Sequence, residues 1–291
     1  MSRGSDQRRR EWFKLGVEAL ANARPDAPRL YCCPLCIRGF DAPEALSFED
    51  APPQSVGGKP VVLTCTPCNN RHGSELDVHI QRGRDAREIG NGKRPAWAKL
   101  RLGENEITTK GLLGDRIELA EMADHTNPAA SKAFAAEMES HVTSGSTDWK
   151  LQLTMTSLYD EWREQIAWLR VAYLHLFALL GYNYILRPEL SPIRDQFDRP
   201  SERVVPQVMK NMLECDDDEQ IIAVTSPSNL RGFAVRIGSR MHLLPGFEGT
   251  AGFYERLSQL PPKGDLKLSG SLLPVPAGPI FMCDVPLSPD G

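Results

Sequence analysis

Two cysteine pairs restrict the folding of this chain more than any other feature. They are Cys33-Pro-Leu-Cys36 and Cys65-Thr-Pro-Cys68, with 28 residues between the inner cysteines. Zinc prefers four tetrahedral ligands, and each C-x-x-C turn offers two thiolates from one tight loop. The gap is longer than in a usual zinc ribbon but suits an inserted hairpin. We therefore predict a structural Zn²⁺ site built from these four cysteines.

The same cysteines have alternative interpretations. A single C-x-x-C pair would also fit buried or redox-active cysteines. Two such pairs that flank a hairpin favour zinc instead. Cys32 is adjacent to Cys33 and is a candidate to replace it as a ligand. Cys215 and Cys283 are isolated, which is typical of structural cysteines.

Composition restricts the cellular setting and the partners. Seven cysteines, four of them in C-x-x-C pairs, favour a reducing compartment, and we predict a cytoplasmic protein. The charged N-terminus is followed by no apolar signal region, and no apolar run approaches the roughly 18 residues of a membrane helix. The net charge of −4 means that any contact with nucleic acid has to come from local basic patches.

Hydrophobic patterning predicts an α+β fold in two parts. Residues 1–95 are predicted to form an N-terminal zinc-stapled finger, and residues 96–291 a mixed α+β domain. Because residues 100–291 show no phosphate loop, nucleophile motif or second metal motif, we assign that domain a role in specificity, regulation or oligomerisation. The segment 84–95 is expected to be a basic connection, and the chain from Pro261 to be irregular. The predicted helices cover residues 9–22, a segment after Cys68, and residues 127–141, 158–181 and 202–214. The predicted strands are Leu46–Phe48, Pro60–Thr64, Lys99–Leu102, Glu106–Thr109, Arg116–Glu121, Lys150–Thr156, Ile221–Thr225 and Gly232–Ile237.

A longer motif runs between and beyond the cysteine pairs. Its parts are Leu46-Ser-Phe-Glu49-Asp50-Ala-Pro52-Pro53, then Gly57-Gly58, then Cys65-Thr-Pro-Cys68-Asn69-Asn70, then Leu76-Asp77-Val-His79. In this combination, residues 31–82 resemble the HNH (ββα-metal finger) endonucleases of the bacterial type with a four-cysteine zinc site. The resemblance implies a metal-dependent endonuclease that hydrolyses DNA, or in second place RNA, in a setting such as bacterial defence or restriction.

The resemblance also implies roles for single residues. A catalytic divalent ion, Mg²⁺ or Mn²⁺, would be bound by Glu49 and His79, with Asp50 or Asp77 as a further ligand. Asn70 would hold the hairpin in position. In such a site the metal stabilises the phosphate and the leaving oxygen while a base activates water. Asp50, Asn70 and His79 are thus the candidate catalytic residues.

Asp50 departs from the family pattern, which has histidine as the general base at this position. An unperturbed Asp has a pKa near 4, against about 6.5 for His, so it is the weaker base at neutral pH. Asp50 either ligates the metal and leaves the base role to bound hydroxide, or marks a finger that has lost catalysis. Such a finger would be a zinc-stapled module that binds nucleic acid or protein. Taken singly, Glu49 and Asp50 also fit a charged turn, Asn70 a helix cap, and His79 an ordinary histidine.

Two further groups of residues bear on partners. Arg71, Arg82 and Arg84 are candidates for contacts with nucleic-acid phosphates, and a solvated face balanced by acids is the alternative. The helix from Trp162 to Tyr182 carries a leucine and aromatic stripe that predicts a core helix. Arg170 and His175 within it either face a site or pair internally. The other partner we consider is a second copy of this chain, in a homo-oligomer formed through residues 96–291.

Overall fold

The structure is a computed structural model of the 291-residue chain. It describes residues 3–113, 117–122, 127–145, 147–155, 158–206, 210–211, 219–248, 251–260 and 266–282. The chain divides into two compact units, residues 1–80 with 161–291 (unit 1) and residues 81–160 (unit 2). Helices and small antiparallel sheets make up the described residues, so the predicted α+β class is confirmed.

Elements are numbered here in chain order. The helices are α1 (Arg3–Ala23), α2 (Thr66–His72), α3 (Val78–Gly90), α4 (Pro128–Ser144), α5 (Glu161–Leu180), α6 (Tyr182–Ile185), α7 (Ser191–Asp198) and α8 (Phe253–Ser258). The strands are β1 (Tyr31–Cys32), β2 (Gly39–Phe40), β3 (Leu46–Asp50), β4 (Pro60–Cys65), β5 (Ala96–Leu102), β6 (Asn105–Leu113), β7 (Ile117–Met122), β8 (Leu151–Thr154), β9 (Lys210–Asn211), β10 (Gln220–Ser226), β11 (Gly232–Ile237), β12 (Arg240–Pro245) and β13 (Ser269–Leu273). A π-helical turn, Gly73–Asp77, joins α2 to α3.

Helix α5 is the centre of unit 1. Every residue from Ile166 to Leu180 is buried, because the segment is apolar on every side apart from Arg170 and His175 and so packs on all sides. The helix ends at Gly181, which has a φ of +68° and whose N–H donates to the carbonyl of Phe177 at 2.9 Å. The combination of this φ with a ψ of −153° is open almost only to glycine and does not continue a helix, and the predicted end at this residue is confirmed.

Two sheets lie in unit 1 beside the short β1–β2 pair. Strands β3 and β4 form an antiparallel hairpin in which Leu46 lies opposite Cys65. A five-stranded antiparallel sheet has the order β13-β10-β11-β12-β9. Helix α1 approaches β1 closely, since a Cβ on Gly16 would lie 2.3 Å from the ring of Tyr31. Only glycine fits at that position.

Unit 2 is a four-stranded antiparallel sheet, in the order β7-β6-β5-β8, with helix α4. Leu100, Leu102 and Ile107 form its core with Phe134 of α4. The side chain of Asn127 caps α4 by accepting from the N–H of Ala129 at 2.9 Å, as the Asn-Pro pair predicts.

Two predicted segments are corrected. Residues 202–206 are not helical, and Lys210–Asn211 is a strand; the rest of the predicted 202–214 helix lies outside the described residues. The Gln196 amide oxygen accepts from the N–H groups of Val204 and Val205, and these contacts replace helical hydrogen bonds. The basic connection predicted from residue 84 is helical to Gly90, where pairs such as Arg84 with Glu88 support the helix.

The chain from Pro261 was predicted to be irregular, and its described part contains one strand. Strand β13 pairs with β10. The functional division at residue 95 stays a prediction. The contacts divide the chain at other positions, into residues 1–80 with 161–291 and residues 81–160. No helix in the described ranges is both long and apolar enough to cross a membrane.

Candidate metal centre and the neighbouring acidic cluster

The four predicted zinc ligands lie together. The Sγ atoms of Cys33, Cys36, Cys65 and Cys68 are all within 4.8 Å of one another. The Sγ atoms of Cys36 and Cys65 are 3.8 Å apart. Zn–S bonds of about 2.3 Å in a tetrahedron place sulfurs about 3.8 Å apart. The cluster therefore has the donor set and the spacing of a structural zinc site, as predicted.

Backbone and side-chain donors support the sulfurs. The N–H of Cys65 donates to Sγ of Cys33, and Nε of Arg38 donates to Sγ of Cys36, each at 3.4 Å. Burial raises the pKa of Cys33 far above its usual value, whereas a hydrogen bond with Cys33 lowers the pKa of Cys65 to about 6. Four sulfurs this close repel one another as thiolates unless a cation lies among them. The chemistry of the donor set thus fits Zn²⁺.

Two tyrosines of the second half of unit 1 bind the backbone of the first cysteine turn. The hydroxyl of Tyr182 donates to the carbonyl of Cys32 at 2.6 Å and accepts from its N–H at 3.0 Å. The hydroxyl of Tyr173 donates to the carbonyl of Pro34 at 2.8 Å. The thiol of Cys32 is buried and lies outside the four-sulfur cluster, so Cys33 is the residue of this dipeptide that is placed to bind a metal.

An ion cluster lies where the motif predicts a catalytic metal. The guanidinium of Arg170 on α5 pairs with the carboxylates of Glu49 on β3 and Asp77 on the π-helical turn. The second oxygen of Glu49 accepts from Oγ1 of Thr64 at 2.8 Å. Arg170 is 0% exposed and Glu49 is 3% exposed. The cluster thus joins a buried cation to one buried carboxylate, Glu49, and to one partly exposed carboxylate, Asp77.

Asp50 lies at the end of β3, half-buried beside this cluster. Burial raises the pKa of Asp50, the Glu49 carboxylate raises it further, and Arg8 opposes both effects. The guanidinium of Arg8 stacks over Phe48 at 4.5 Å from the ring centroid. Burial also raises the pKa of Asp77, against the effect of Arg170. These shifts make both carboxyl groups stronger proton acceptors than ordinary aspartates.

The four residues predicted to bind a catalytic metal do not form a compact ligand set. Among the described residues, only the four cysteines bring three or more ligand atoms of His, Cys, Asp or Glu within 4.8 Å of one another. Glu49 and Asp77 both contact Arg170 instead, and His79 is 5% exposed. His72, also buried, has its pKa lowered to about 3 by burial and then by Arg170 and Arg71, so it is neutral. The catalytic metal and its ligands stay a prediction.

The asparagine that joins the helix to the hairpin is Asn69. Its Nδ2 donates to the carbonyl of Phe48 at 2.8 Å, so it connects α2 to β3. The neighbouring Asn70, which the motif assigns to this role, is exposed, and its carbonyl accepts from Ser74. Two consecutive asparagines follow Cys68, and the helical direction of each side chain decides between them.

The three arginines predicted to bind phosphate each have a partner within the chain. Arg71 pairs with Asp198, and Nε of Arg84 lies 3.1 Å from Glu88. Arg82 donates to the carbonyl of Leu158 at 3.1 Å. Exposed ion pairs of this kind contribute about 1 kcal/mol or less, so a phosphate can displace the acid at low cost. The assignment of these arginines to nucleic acid stays a prediction.

Compared with protein-family models, with curated proteins and with solved structures, the chain matches none of them. The resemblance to HNH nucleases therefore rests on the motif residues themselves. The fold and the site define an α+β protein with an N-terminal cluster of four cysteines that can hold a metal ion.

Proposed function

We propose that residues 31–82 are a zinc-stapled finger that binds nucleic acid without hydrolysing it. The observation that carries this proposal is the position of Arg170. Its guanidinium holds both Glu49 and Asp77, two of the three carboxylates that the motif assigns to the catalytic metal.

The argument against hydrolysis is one of charge and access. A catalytic divalent ion needs carboxylates that are free to ligate it and an open position for the scissile phosphate. Here a permanent cation already pairs with both carboxylates, because arginine stays protonated in proteins. Both Arg170 and Glu49 are closed off from solvent. A metal ion at this place would have to displace a buried guanidinium and leave it unpaired, which is costly.

The support for nucleic acid as the partner is more general. The motif resembles a family that acts on nucleic acid, and the finger carries Arg71 at its surface in a pair that phosphate can replace. Asp50 in place of histidine agrees with a finger that binds but does not cut.

The test is a plasmid-nicking assay with the full-length, zinc-loaded protein. Supercoiled plasmid is incubated with Mg²⁺, Mn²⁺, Ni²⁺ or EDTA, and binding is followed in parallel by fluorescence anisotropy of labelled duplex and single strands. We expect binding without nicking. Nicking that requires a metal and disappears in His79→Ala, but not in the control His141→Ala, would overturn the proposal. Both variants must keep the zinc content of the wild type.

Metal-dependent hydrolysis is the second candidate, and Asp50 favours it. This carboxyl is half-buried at the end of β3, and its raised pKa brings it closer to the pKa of an effective general base. In that case Asp50→Asn would abolish nicking while leaving zinc and DNA binding unchanged. Conversely, nicking gained in Asp50→His by an otherwise inert protein would show that the wild type fails to cut because of Asp50, and that Arg170 does not exclude the metal.

A further inference from the structure

One face of the unit 2 sheet is open. On β5 the side chains alternate, with Ala98, Leu100 and Leu102 buried and Trp97, Lys99 and Arg101 on the other face. Helix α4 covers the first face through Phe134. Trp97 is 46% exposed, which is unusual for so large a ring on a regular strand. The opposite face thus carries an exposed indole beside two cations.

The register extends this face over β6 and β8. Trp97 lies opposite Lys110, and Lys99 lies between Thr108 on β6 and Thr154 on β8. Arg101 lies between Glu106 and Gln152. The face from β6 to β8 therefore presents an aromatic ring, hydroxyl and amide groups, and three cations against one acid. We call these eight residues the outer sheet face.

The charges on the outer sheet face are arranged for an anionic ligand. Nζ of Lys110 lies 5.9 Å from the centroid of the Trp97 ring. Glu106 holds Lys99 and Arg101 at 3.3 and 2.8 Å in exposed pairs. Such pairs keep the cations in place and yield to phosphate at low cost. A shallow pocket of about 520 Å³ with Arg101 and Lys150 in its wall adjoins the end of the face away from Trp97.

The dimensions suit a short stretch of single strand. From Trp97 to Arg101 the strand rises about 13 Å, at about 3.3 Å per residue. Four-stranded sheets with surface aromatics bind two or three unstacked bases on such a face, and stacking accepts any base. Glu118 on β7 is exposed opposite Leu112, beyond Lys110, and would repel phosphate there. The backbone of the ligand would therefore follow β5 and β8.

We propose that the outer sheet face binds single-stranded nucleic acid, with a base stacked on Trp97 and phosphates on Lys99, Arg101 and Lys150. This inference adds a second binding site to the proposed function and names single strands as the form of nucleic acid bound there. That the ligand is nucleic acid rests on the proposed function. It does not depend on whether the finger cuts.

The experiment measures anisotropy of a labelled oligothymidylate or oligouridylate of about 12 nucleotides with the full-length protein. Trp97→Ala should weaken binding by about 5- to 100-fold, whereas Trp97→Phe should largely restore it. Lys99→Met should weaken binding and lower the slope of log K against log salt by about 0.7. Lys14→Met, an exposed lysine of α1, is the matched control and should change neither quantity.

The outcomes separate this inference from the proposed function. Wild-type affinity in both Trp97→Ala and Lys99→Met, in a protein that still binds nucleic acid, would overturn the outer sheet face and leave the finger as binding site. A failure to bind any single strand or duplex would overturn both. Circular dichroism checks that each variant is folded, and the exposure of both side chains makes this the expected result.

Discussion

The guanidinium of Arg170 on α5 pairs with the carboxylate of Glu49 on β3, although 121 residues separate them in the chain. The pair is buried, and Asp77 shares the same guanidinium. A long core helix and the hairpin of the finger are therefore connected by charge as well as by apolar packing. The strength of this connection can be measured.

Replacing Arg170 should be the most damaging change in unit 1. Arg170→Met leaves the buried Glu49 and the partly exposed Asp77 without their cation, and loss of one partner of a buried pair typically costs about 3–5 kcal/mol. Urea unfolding of the zinc-loaded protein measures this loss. The matched control is Arg199→Met, which removes an exposed pair with Glu202 at 2.9 Å and should cost less than about 1 kcal/mol. Equal losses in the two variants would show that losing the cation of the buried cluster costs no more than losing an exposed ion pair.

The two carboxylates of the cluster should differ in their effects. Glu49→Gln removes a charged partner of Arg170 and alters the acceptor for Thr64, and a charged hydrogen bond contributes about 1.5–3 kcal/mol. Asp77→Asn changes the more exposed partner, whose side chain is 18% exposed against 4% for Glu49, so we expect a change below about 1 kcal/mol. The same unfolding measurement ranks the variants. A larger loss in Asp77→Asn would contradict this assignment.

The raised pKa of Asp77 also predicts a pH dependence. Burial raises its pKa in the folded state above the ordinary 3.8, so the folded protein takes up a proton before the unfolded chain does. This contribution therefore increases the free energy of unfolding as the pH falls through the folded pKa towards the ordinary value. Asp50 acts in the same direction. In Asp77→Asn the slope should be smaller than in the wild type, compared at pH values where both proteins retain zinc.

Zinc content should depend on four cysteines and not on the fifth. Cys65→Ser removes one sulfur of the cluster and should release the metal and destabilise the finger, since structural zinc contributes directly to folding. Cys32→Ser should keep about one zinc ion per chain, because its sulfur lies outside the cluster. Elemental analysis of the purified proteins measures the zinc content per chain. Loss of zinc in Cys32→Ser would mean that this thiol takes the place of Cys33.

The two neighbouring asparagines should be distinguishable by stability. Asn69→Ala removes the 2.8 Å hydrogen bond to the carbonyl of Phe48 and should cost about 1 kcal/mol. Asn70→Ala changes an exposed side chain and should leave the midpoint of thermal unfolding close to that of the wild type. The reverse order would restore the assignment that the motif alone suggests.

Local patterns were sufficient for much of the fold. The zinc ligands follow from cysteine spacing, and the strands of the finger and of unit 2 follow from alternation and turn residues. The Asn127 cap and the end of α5 at Gly181 were predicted because these signals depend on one or two residues. The segment 202–206 was not, because its backbone binds the side chain of Gln196, a partner that periodicity does not reveal.

The contacts within the acidic cluster could not be predicted from the sequence. Glu49 and Asp77 were recognised as acids at meaningful spacing, and Arg170 as a charged residue in an apolar helix. That these three meet is a long-range contact, and nothing in the local sequence of either segment specifies it. The choice between Asn69 and Asn70 depends similarly on which side of α2 faces β3.

The hydroxyls of Tyr173 and Tyr182 bind the backbone around the first cysteine turn. These contacts restrict how the finger can be transferred to another protein. A gene fragment that encodes only the cysteines and the hairpin would produce a metal-binding loop without these anchors and without Arg170. Recombination that moves the finger into another protein would have to carry the region of α5 and α6 with it. The cysteine site and its anchors thus belong to one compact unit that is discontinuous in sequence, residues 1–80 with 161–291.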